Sequence, residues 1–563
     1  MFFEVLISLG LSLQSATNCN FNYHLKEFQN KLIVAKNISE SRPIAADVFY
    51  SFCVDSELSR KEKIEEYSMY VANRIEELSC SNLSFSEIIG ARSFPVVTIV
   101  FENKSVDCVK QQLFNNLLLE SVKQITLREY RHYEPIATSE MFNFEKESVV
   151  KTLDDNYIDY RYIPYDNFEN GTPYTGSGVK IGVADFGPFD KDHSNFADTN
   201  ILMVDMETKN GSLSTSYSHA DYVMSILTGK YGIVPNANIV LVDANSSNYS
   251  GFTYLDLFAY LGVDIVNLSL GTIGSGCNLH SYFDFFVYNY QIPVVCSAPN
   301  GLTGYLTQPN SAQNVISVCS TDDSYTITNG AYLRDPQNNG GVYNGFRISA
   351  MGDGRTIKVY DNDNVNGVGG TSMATPVVTG AIALMMEKNP NLKGNVPMLM
   401  AALGNGANRN IIEGGSTGIV DDINPYNGLC NWSGVGALDI AQSLWISGFI
   451  STPNISLSPY SIAYLFSINN VSPGQTIYTT HCWLQKYTFD GNTYTAYTLS
   501  DFDLWLYDSS DNLISSTTGT WTNVERHKFE FTLSGNYTMK IKIYNSTLSS
   551  SVGQYGLSCV RAS

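Results

Sequence analysis

The chain has 563 residues, of which 44% are hydrophobic and 16% are charged, and its formal net charge is −20. This length and composition allow large buried cores and predict more than one domain, with three as the expected number. The acidic balance argues against nucleic acid or an anionic membrane surface as the main partner.

The N-terminus carries a short apolar run, Val5 to Leu13, ahead of small residues around Ser15. A run of this length suits a cleaved signal peptide, placed here at residues 1–17, and is too short to span a bilayer. We therefore predict a secreted protein, extracellular or in the lumen of a secretory vesicle, that does not span the membrane. The alternative is a buried N-terminal strand, because Glu4 stands where a signal peptide is normally basic.

The chain contains 10 cysteines. An even number fits an oxidising compartment, and we pair Cys482 with Cys559, the only two beyond residue 430. Four others lie in the N-terminal region and allow three pairings: Cys19, Cys53, Cys80 and Cys108. Cys296 and Cys319 lie in apolar runs and are expected to be buried free thiols. N-x-S/T sequons predict a glycoprotein, although the sequon at Asn267 falls in a predicted buried strand.

Residues 18–150 have the pattern of a small α+β unit. Within them, residues 94–127 (FPVVTIVFENKSVDCVKQQLFNNLLLESVKQITL) predict a strand, a helix and a second strand. A stretch rich in Tyr and Asp, residues 154–176, then leads to the middle of the chain.

Between residues 165 and 448, short β-branched runs alternate with helix-like stretches. The runs are continuously apolar, as in strands covered on both faces: VKIGVAD, NIVLVDA, VDIVNLSL, IPVVCSA and VISVCST. Strands and helices in alternation predict an α/β domain with a parallel, doubly wound sheet. Function in such sheets gathers at the carboxyl ends of the strands.

Residues 452–563 alternate apolar and polar side chains, as in DFDLWLYD and YTMKIKIY, between turns rich in Ser, Asp, Asn and Gly. This alternation predicts antiparallel strands in a jelly-roll-like β-sandwich.

The stretch GGTSMATPVVTGAIALMM, residues 369–386, predicts a buried helix made mostly of small residues. If it begins at Thr371 or Ser372, Pro376 falls in the first turn, where its missing N–H costs little. The helix then aims free N–H groups and the positive end of its dipole near Ser372, which suits a nucleophile whose attack creates an oxyanion. The alternative is that Ser372 only caps the helix.

A nucleophilic serine needs a base, and the middle region offers His193, His219 and His280. Of these, His219 follows Ser218. Because Ser218 and Asp221 have the spacing of a capping box, His219 is predicted to be the first residue of a helix. A base in that position is held rigidly and remains accessible.

A histidine base needs a carboxylate to fix its tautomer, and Asp185 ends the apolar run VKIGVAD. The alternative is that an aspartate at this place only begins a turn. The chain order Asp, His, Ser differs from that of the α/β-hydrolases and from that of chymotrypsin.

At these residues the chain resembles the subtilisin-like serine proteases (subtilases, peptidase S8). The block GTSMATPVVTGAIAL matches the family pattern G-T-S-M-A-x-P-x-V-x-G almost throughout. GSGVKIGVADFG and SHADYVMSILTG are similar to the aspartate and histidine blocks, and YGIVPNANIVLV, VDIVNLSLG and SGVGALDIAQSL to further family segments. The resemblance covers about residues 170–445.

The resemblance implies a subtilisin-like fold and a serine endopeptidase (EC 3.4.21) that hydrolyses protein or peptide substrates through an acyl-enzyme, with no cofactor required for the chemistry. Ser372 would be the nucleophile, His219 the general base and then acid, and Asp185 the orienting carboxylate. Asn300 matches the side-chain donor of the oxyanion hole. Three residues match the strand that pairs with the substrate backbone: Ser269, Leu270 and Gly271.

The resemblance also bears on the flanking regions. It implies that the N-terminal α+β region is an inhibitory propeptide, so the protein is made as a zymogen and its own propeptide is a partner. The C-terminal strands resemble β-sandwich domains appended to secreted peptidases. Many subtilases hold structural calcium, and residues 360–367, YDNDNVNG, gather oxygen ligands. We nevertheless predict no metal site, because this run does not fit an EF-hand loop and such turns are usually only solvated.

Two departures from the family pattern leave an alternative open. Residues 219–222 are His-Ala-Asp-Tyr where the family has H-G-T-H, and Pro299 precedes Asn300 where glycine is usual. The alternative is a catalytically impaired subtilase that binds peptides or a surface. A third hypothesis, an adhesive protein acting through its C-terminal sandwich, leaves the Asp, His, Ser and Asn set unexplained.

Overall fold

The computed structural model describes residues in three stretches, 28–129, 174–408 and 423–562, each with internal gaps such as 51–59, 332–344 and 451–458. The predicted signal peptide, Cys19 and Cys53 lie outside the described residues. The described residues divide into two compact units, one within 1–145, 244–261 and 488–495, the other within 146–243, 262–487 and 496–563.

The N-terminal part of the first unit is a five-stranded sheet in the order β1-β5-β2-β4-β3 with two helices. Its elements are β1 (Leu32–Val34), β2 (Ile44–Tyr50), α1 (Arg60–Ser79), β3 (Glu87–Gly90), β4 (Val96–Phe101), α2 (Val106–Asn116) and β5 (Val122–Glu129). Alternate residues of β2 and β4 are buried with residues of both helices in one hydrophobic core. The strand, helix and strand predicted for residues 94–127 are present as β4, α2 and β5.

The middle of the chain alternates strands with helices, as predicted. Its strands are β6 (Lys180–Asp185), β7 (Asn200–Val204), β8 (Asn238–Asp243), β9 (Ile265–Leu268), β10 (Val294–Ser297), β11 (Leu302–Thr303), β12 (Ile316–Thr321), β13 (Ile327–Ala331) and β14 (Arg347–Met351), followed by a hairpin of β15 (Arg355–Tyr360) and β16 (Asp363–Val368). Its helices are α3 (His219–Leu227), α4 (Thr253–Tyr260), α5 (Leu279–Tyr290), α6 (Thr371–Lys388), α7 (Val396–Gly406) and α8 (Ile440–Ser447), with a 3₁₀ turn at Pro390–Leu392.

These strands form a nine-stranded sheet in the order β11-β13-β12-β10-β9-β6-β8-β7, with β14 also paired to β12. Every pair in it is parallel except β12 with β13. All four residues of β9 and of β10 are buried, because both faces of the sheet are covered. The predicted parallel sheet is confirmed, and it brings the carboxyl ends of β6, β9 and β10 to one edge.

The C-terminal strands form two antiparallel sheets, one in the order β17-β24-β21-β22 and the other in the order β23-β18-β25. Their bounds, with those of a separate two-stranded pair, are β17 (Ser461–Val471), β18 (Thr476–Trp483), β19 (Tyr487–Phe489), β20 (Tyr494–Ala496), β21 (Asp501–Asp508), β22 (Leu513–Ser516), β23 (Val524–Glu530), β24 (Gly535–Asn545) and β25 (Tyr555–Ala562). Leu504 and Met539 of the first sheet share a hydrophobic core with Ile477 and Leu557 of the second. Among the described residues, no helix is both long and apolar enough to cross a membrane.

The second sheet packs directly on the nine-stranded domain. The Arg526 guanidinium is buried and donates to the carbonyl oxygens of Val435 and of Ala407, the latter at 2.7 Å. Asn405 Nδ2 of α7 donates to Ser558 Oγ of β25 at 2.9 Å. The contact between these two parts of the chain therefore includes hydrogen bonds between buried polar groups, with a donor from each side.

The predicted Cys482–Cys559 disulfide is wrong. In the pairing of β18 with β25, Cys559 lies opposite Thr479 and Cys482 lies opposite Gly556. The two cysteines are thus three register positions apart and on opposite faces of the sheet, where no disulfide closes. Both are free, as are the other described cysteines, which include the buried Cys296 and Cys319.

Candidate active site

Asp185 and His219 form a close pair at the edge of the sheet. Asp185 is the last residue of β6 and is 1% exposed, and His219 is the first residue of α3. Asp185 Oδ1 lies 2.6 Å from His219 Nδ1 and accepts the backbone N–H of Phe186 at 2.7 Å. The predicted capping box is confirmed: Ser218 Oγ accepts the Asp221 N–H, and an Asp221 oxygen accepts the Ser218 N–H.

The pKa of His219 reflects two opposing effects. Burial lowers it, but the hydrogen bond and the negative charge of Asp185 raise it, and the result is a pKa above the ordinary 6.5. Burial raises the pKa of Asp185, while the hydrogen bond and charge of His219 lower it. Because 32% of the His219 side chain is exposed, its ring is accessible to a bound molecule. The pair can hold the tautomer in which Nδ1 carries a proton and Nε2 can accept one.

Ser372 lies in the first turn of α6 and is bound twice to Ser269. Its Oγ donates to the Ser269 carbonyl oxygen at 3.1 Å, and Ser269 Oγ donates to the Ser372 carbonyl oxygen at 2.9 Å. Among the hydrogen bonds of the described residues, none joins the Ser372 hydroxyl to the His219 ring. The hydroxyl must therefore rotate before it can give its proton to that base.

The sequence analysis predicted Pro376 in the first turn of the helix, and this prediction is wrong. Because α6 begins at Thr371, Pro376 is its sixth residue. At that position its missing N–H removes the helical hydrogen bond to the carbonyl oxygen four residues earlier, that of Ser372. Ser269 Oγ supplies the missing donor. This compensation connects two parts of the chain 103 residues apart.

Asn300 follows β10 and is held by the start of α6. Its Oδ1 accepts hydrogen bonds from the backbone N–H and the Oγ1 of Thr371, both at 3.0 Å. Because Thr371 holds Oδ1, the other end of the amide, Nδ2, is the end that can donate to a bound molecule, and Asn300 is exposed. Gly370 has φ +113°, and a Cβ placed on it would lie 2.7 Å from Asn300 Oδ1. A glycine is therefore required beside Asn300.

The sequence analysis missed a buried side chain, Asn267, that holds the hydroxyl of Ser269 by a hydrogen bond. Asn267 of β9 is fully buried; its Nδ2 donates to Ser269 Oγ at 3.1 Å and its Oδ1 accepts from Thr379 Oγ1 at 2.8 Å. The sequon at Asn267 is therefore inaccessible in the folded chain. The sequence signal for this hydrogen-bonding role is a polar residue inside an apolar strand, because a buried polar side chain needs a partner.

The predicted substrate-binding residues continue directly from β9. Ser269 is buried, Leu270 is half-buried and Gly271 is exposed. They follow the central strand β9, between the ends of β6 and β10. Among the described residues, no group of His, Cys, Asp or Glu is arranged to hold a metal ion.

The comparisons with known proteins bear on the family. Residues 176–417 match the model of the subtilase family, Peptidase_S8. Residues 176–417 are therefore similar to the subtilase family of serine peptidases, and the resemblance inferred from the motifs is confirmed. This matched region contains every candidate residue described above.

Two curated relatives and one solved structure give the degree of similarity. Subtilisin DY of Bacillus licheniformis is 28% identical over 238 residues, which are 39% of this chain and 81% of the relative. Subtilisin E of Bacillus subtilis is 26% identical over 271 residues, 44% of this chain and 68% of the relative. Fervidolysin from Fervidobacterium pennivorans, a keratinolytic enzyme related to subtilisin, aligns with 90% of this chain and 78% of its own, at 16% identity and a TM-score of 0.46.

Proposed function

We propose that the protein is a secreted subtilisin-like serine endopeptidase that cleaves peptide bonds through an acyl-enzyme. The observation that carries the proposal is the 2.6 Å hydrogen bond between Asp185 and His219 at the strand edge to which α6 brings Ser372. The family match supports the reaction class.

In the proposed mechanism, Ser372 Oγ rotates away from the Ser269 carbonyl and attacks the substrate carbonyl carbon. His219 Nε2 takes the hydroxyl proton, and Asp185 stabilises the resulting imidazolium. Asn300 Nδ2 and backbone N–H groups at the start of α6 donate to the oxyanion. Collapse of the tetrahedral intermediate breaks the C–N bond, and His219 returns the proton to the leaving amine.

Water then completes the proposed cycle. His219 takes a proton from the water molecule, whose oxygen attacks the acyl carbonyl carbon. Collapse of the second tetrahedral intermediate releases the carboxylic acid, and His219 returns the proton to Ser372 Oγ. The segment Ser269, Leu270 and Gly271 binds the substrate as an added strand, through its backbone groups.

The flanking regions complete the proposal. Residues 1–17 act as a signal peptide, 18–150 as a propeptide removed in maturation, 165–448 as the catalytic domain and 452–563 as the C-terminal sandwich. The sheet and two helices described before residue 130 support an independent core for the proposed propeptide. Glycosylation at exposed sequons belongs to the same proposal.

The test is the intact mass of the secreted protein after exposure to a fluorophosphonate, for the natural chain and for Ser372→Ala. We expect the natural chain to lose its N-terminal region and gain one adduct, and the alanine variant to do neither. If both folded forms stay full length and unlabelled, the second candidate function, a peptide-binding subtilase without turnover, takes its place. The hydrogen bond of Ser372 to Ser269, instead of to His219, is the observation that favours this second candidate.

A further inference from the structure

A cluster of polar side chains behind Asn300 has no part in the proposed mechanism. It is centred on Asp353, which follows β14. Asp353 Oδ2 accepts hydrogen bonds from Ser320 Oγ at 2.7 Å, from Asn329 Nδ2 at 2.8 Å, and from Thr328 Oγ1. One carboxylate oxygen thus gathers three donors, and hydrogen bonds to a charged acceptor are the strong ones.

Asn329 of β13 connects this carboxylate to the loop of Asn300. Its Oδ1 accepts the backbone N–H of Gly301 at 2.7 Å, while its Nδ2 donates to Asp353. Because a carboxylate accepts hydrogen bonds and donates none, Asp353 determines which end of the Asn329 amide faces Gly301. The residue after Asn300 is therefore held through Asn329, while the Asn300 side chain is held by Thr371.

Asp353 also lies against the glycines that lead into α6. A Cβ placed on Gly369 would lie 1.9 Å from Asp353 Oδ1. One placed on Gly352 would lie 2.4 Å from the Gly370 carbonyl oxygen. Residues 352 and 353 are thus packed against the segment that carries Ser372, and Asn329 connects Asp353 to the segment that carries Asn300.

We propose that Asp353 is a positioning residue that acts through Asn329 to hold the Asn300–Gly301 peptide, so that Asn300 Nδ2 meets the developing oxyanion. This inference rests on the proposed peptidase function. Without the carboxylate, the Asn329 amide loses its preferred orientation, and the Gly301 N–H loses its acceptor. The oxyanion donor, Asn300 Nδ2, then moves. Misplacement of a group used only in the transition state lowers kcat and leaves KM nearly unchanged.

The experiment compares Asp353→Asn with the full-length natural chain, using a fluorogenic peptide found by screening a mixed peptide library. We expect kcat to fall about 10- to 100-fold with KM changed less than about threefold, since complete loss of an oxyanion donor costs about 10²–10³-fold. The matched control is Asp322→Asn. Its carboxylate accepts the Thr326 N–H in the turn between β12 and β13, and its loss should leave both constants unchanged.

A second comparison separates positioning from general support of the fold. In an Asn300→Ala background the positioned donor is gone, so Asp353→Asn should lower kcat less than about twofold further. An equal loss in both backgrounds, a change in KM alone, or no change would overturn the inference.

Two further outcomes are also decisive. If thermal melting shows that Asp353→Asn does not fold, Asn329→Ala takes its place, because it breaks the same link and leaves Asp353 with Ser320 and Thr328. It should reproduce the same loss of kcat and the same dependence on Asn300. An inactive natural chain would overturn the proposed function together with this inference. An active natural chain with unchanged kinetics in both variants would overturn the inference alone.

Discussion

Ser269 and Ser372 exchange two hydrogen bonds, the hydroxyl of each donating to the carbonyl oxygen of the other at 2.9 Å and 3.1 Å. The pair joins the end of the central strand β9 to the first turn of α6. One bond replaces the donor that Pro376 lacks, and the other takes up the hydroxyl proton that the proposed mechanism transfers to His219. The same two residues thus affect both the stability of α6 and the availability of the Ser372 hydroxyl for reaction.

The first prediction concerns the structural bond. Ser269→Ala leaves the Ser372 carbonyl oxygen without a donor, so we expect the free energy of unfolding to fall by about 1–2 kcal/mol in urea titrations. The free energy of unfolding should be measured in the Ser372→Ala background, which prevents self-cleavage and keeps the backbone carbonyl of residue 372. Pro376→Ala restores a backbone N–H, so Ser269→Ala should cost less in its presence. An equal cost with and without Pro376 would contradict the explanation.

The second prediction concerns pH. Asp185 raises the pKa of His219 above 6.5 against the effect of burial, and catalysis needs the neutral ring, so the acidic limb of kcat/KM should lie above pH 6.5. In Asp185→Asn only burial remains, which lowers that pKa, so the limb should move to lower pH. The value of kcat should fall by about 10⁴-fold.

The control for this pair is Asp192→Asn, an exposed carboxylate whose partner is Lys191. It should leave the pH profile unchanged. A limb that does not move in Asp185→Asn would mean that another group controls it.

The third prediction concerns Gly370. Gly370→Ala adds a Cβ 2.7 Å from Asn300 Oδ1 at a residue with φ +113°, so kcat should fall at least about 10-fold as Asn300, the proposed oxyanion donor, is displaced. Gly178→Ala is the matched control, because Gly178 has φ +74° and nothing within 4 Å of the added Cβ. Gly178→Ala introduces backbone strain at a positive φ, but its added Cβ contacts no other group. If the two variants lose activity equally, strain and not the contact explains the loss.

The fourth prediction concerns the contact between the nine-stranded domain and the C-terminal strands. Arg526→Met keeps most of the side-chain volume but removes the hydrogen bonds to Val435 and Ala407. We expect it to lower the free energy of unfolding by roughly 2–4 kcal/mol. Lys528→Met, at an exposed position on the same strand, should change it by less than about 0.5 kcal/mol. If the two variants are equally stable, the buried guanidinium adds nothing to this contact.

The fifth prediction concerns Asp284, which is 1% exposed and accepts the Asn314 N–H at 2.6 Å. Burial raises its pKa to about 7, from 3.8 for an exposed aspartate. The folded state therefore binds this proton more tightly than the unfolded state does. The stabilisation is fully present below pH about 4 and is lost as the pH rises to about 7. Melting temperatures of the Ser372→Ala chain should fall between pH 4 and pH 8.

Asp284→Asn removes the titrating group and should make that fall smaller. The exposed Asp511→Asn is its control and should melt like the parent chain at each pH. An identical fall in Asp284→Asn would show that other groups carry the pH dependence.

Much of the candidate site follows from local sequence. Asp185 ends one continuous apolar strand, Asn300 follows another, and a capping box opens the helix at His219. Parallel strands place their carboxyl ends at one edge, so these residues meet once the strands are recognised. The motif around Ser372 adds the family, and the reaction class with it.

Other features depend on residues distant in the chain. The error over Cys482 and Cys559 arose because proximity to the chain end says nothing about register, which the whole ladder between β18 and β25 sets. The donor that replaces the N–H missing at Pro376 comes from 103 residues away. The link between Asp353 and Asn329 forms only when β13 and β14 both lie beside β12.

The sequence by itself determined the strands, the helix starts and the family, because periodicity, capping and motifs are carried by residues near one another. Only the tertiary structure decided which carbonyl Ser372 binds, which carboxylate holds the Asn300 loop and how the C-terminal strands contact α7. The physical reason is that register and side-chain pairing follow from the packing of whole sheets. A buried polar group takes whichever partner that packing brings within hydrogen-bond distance.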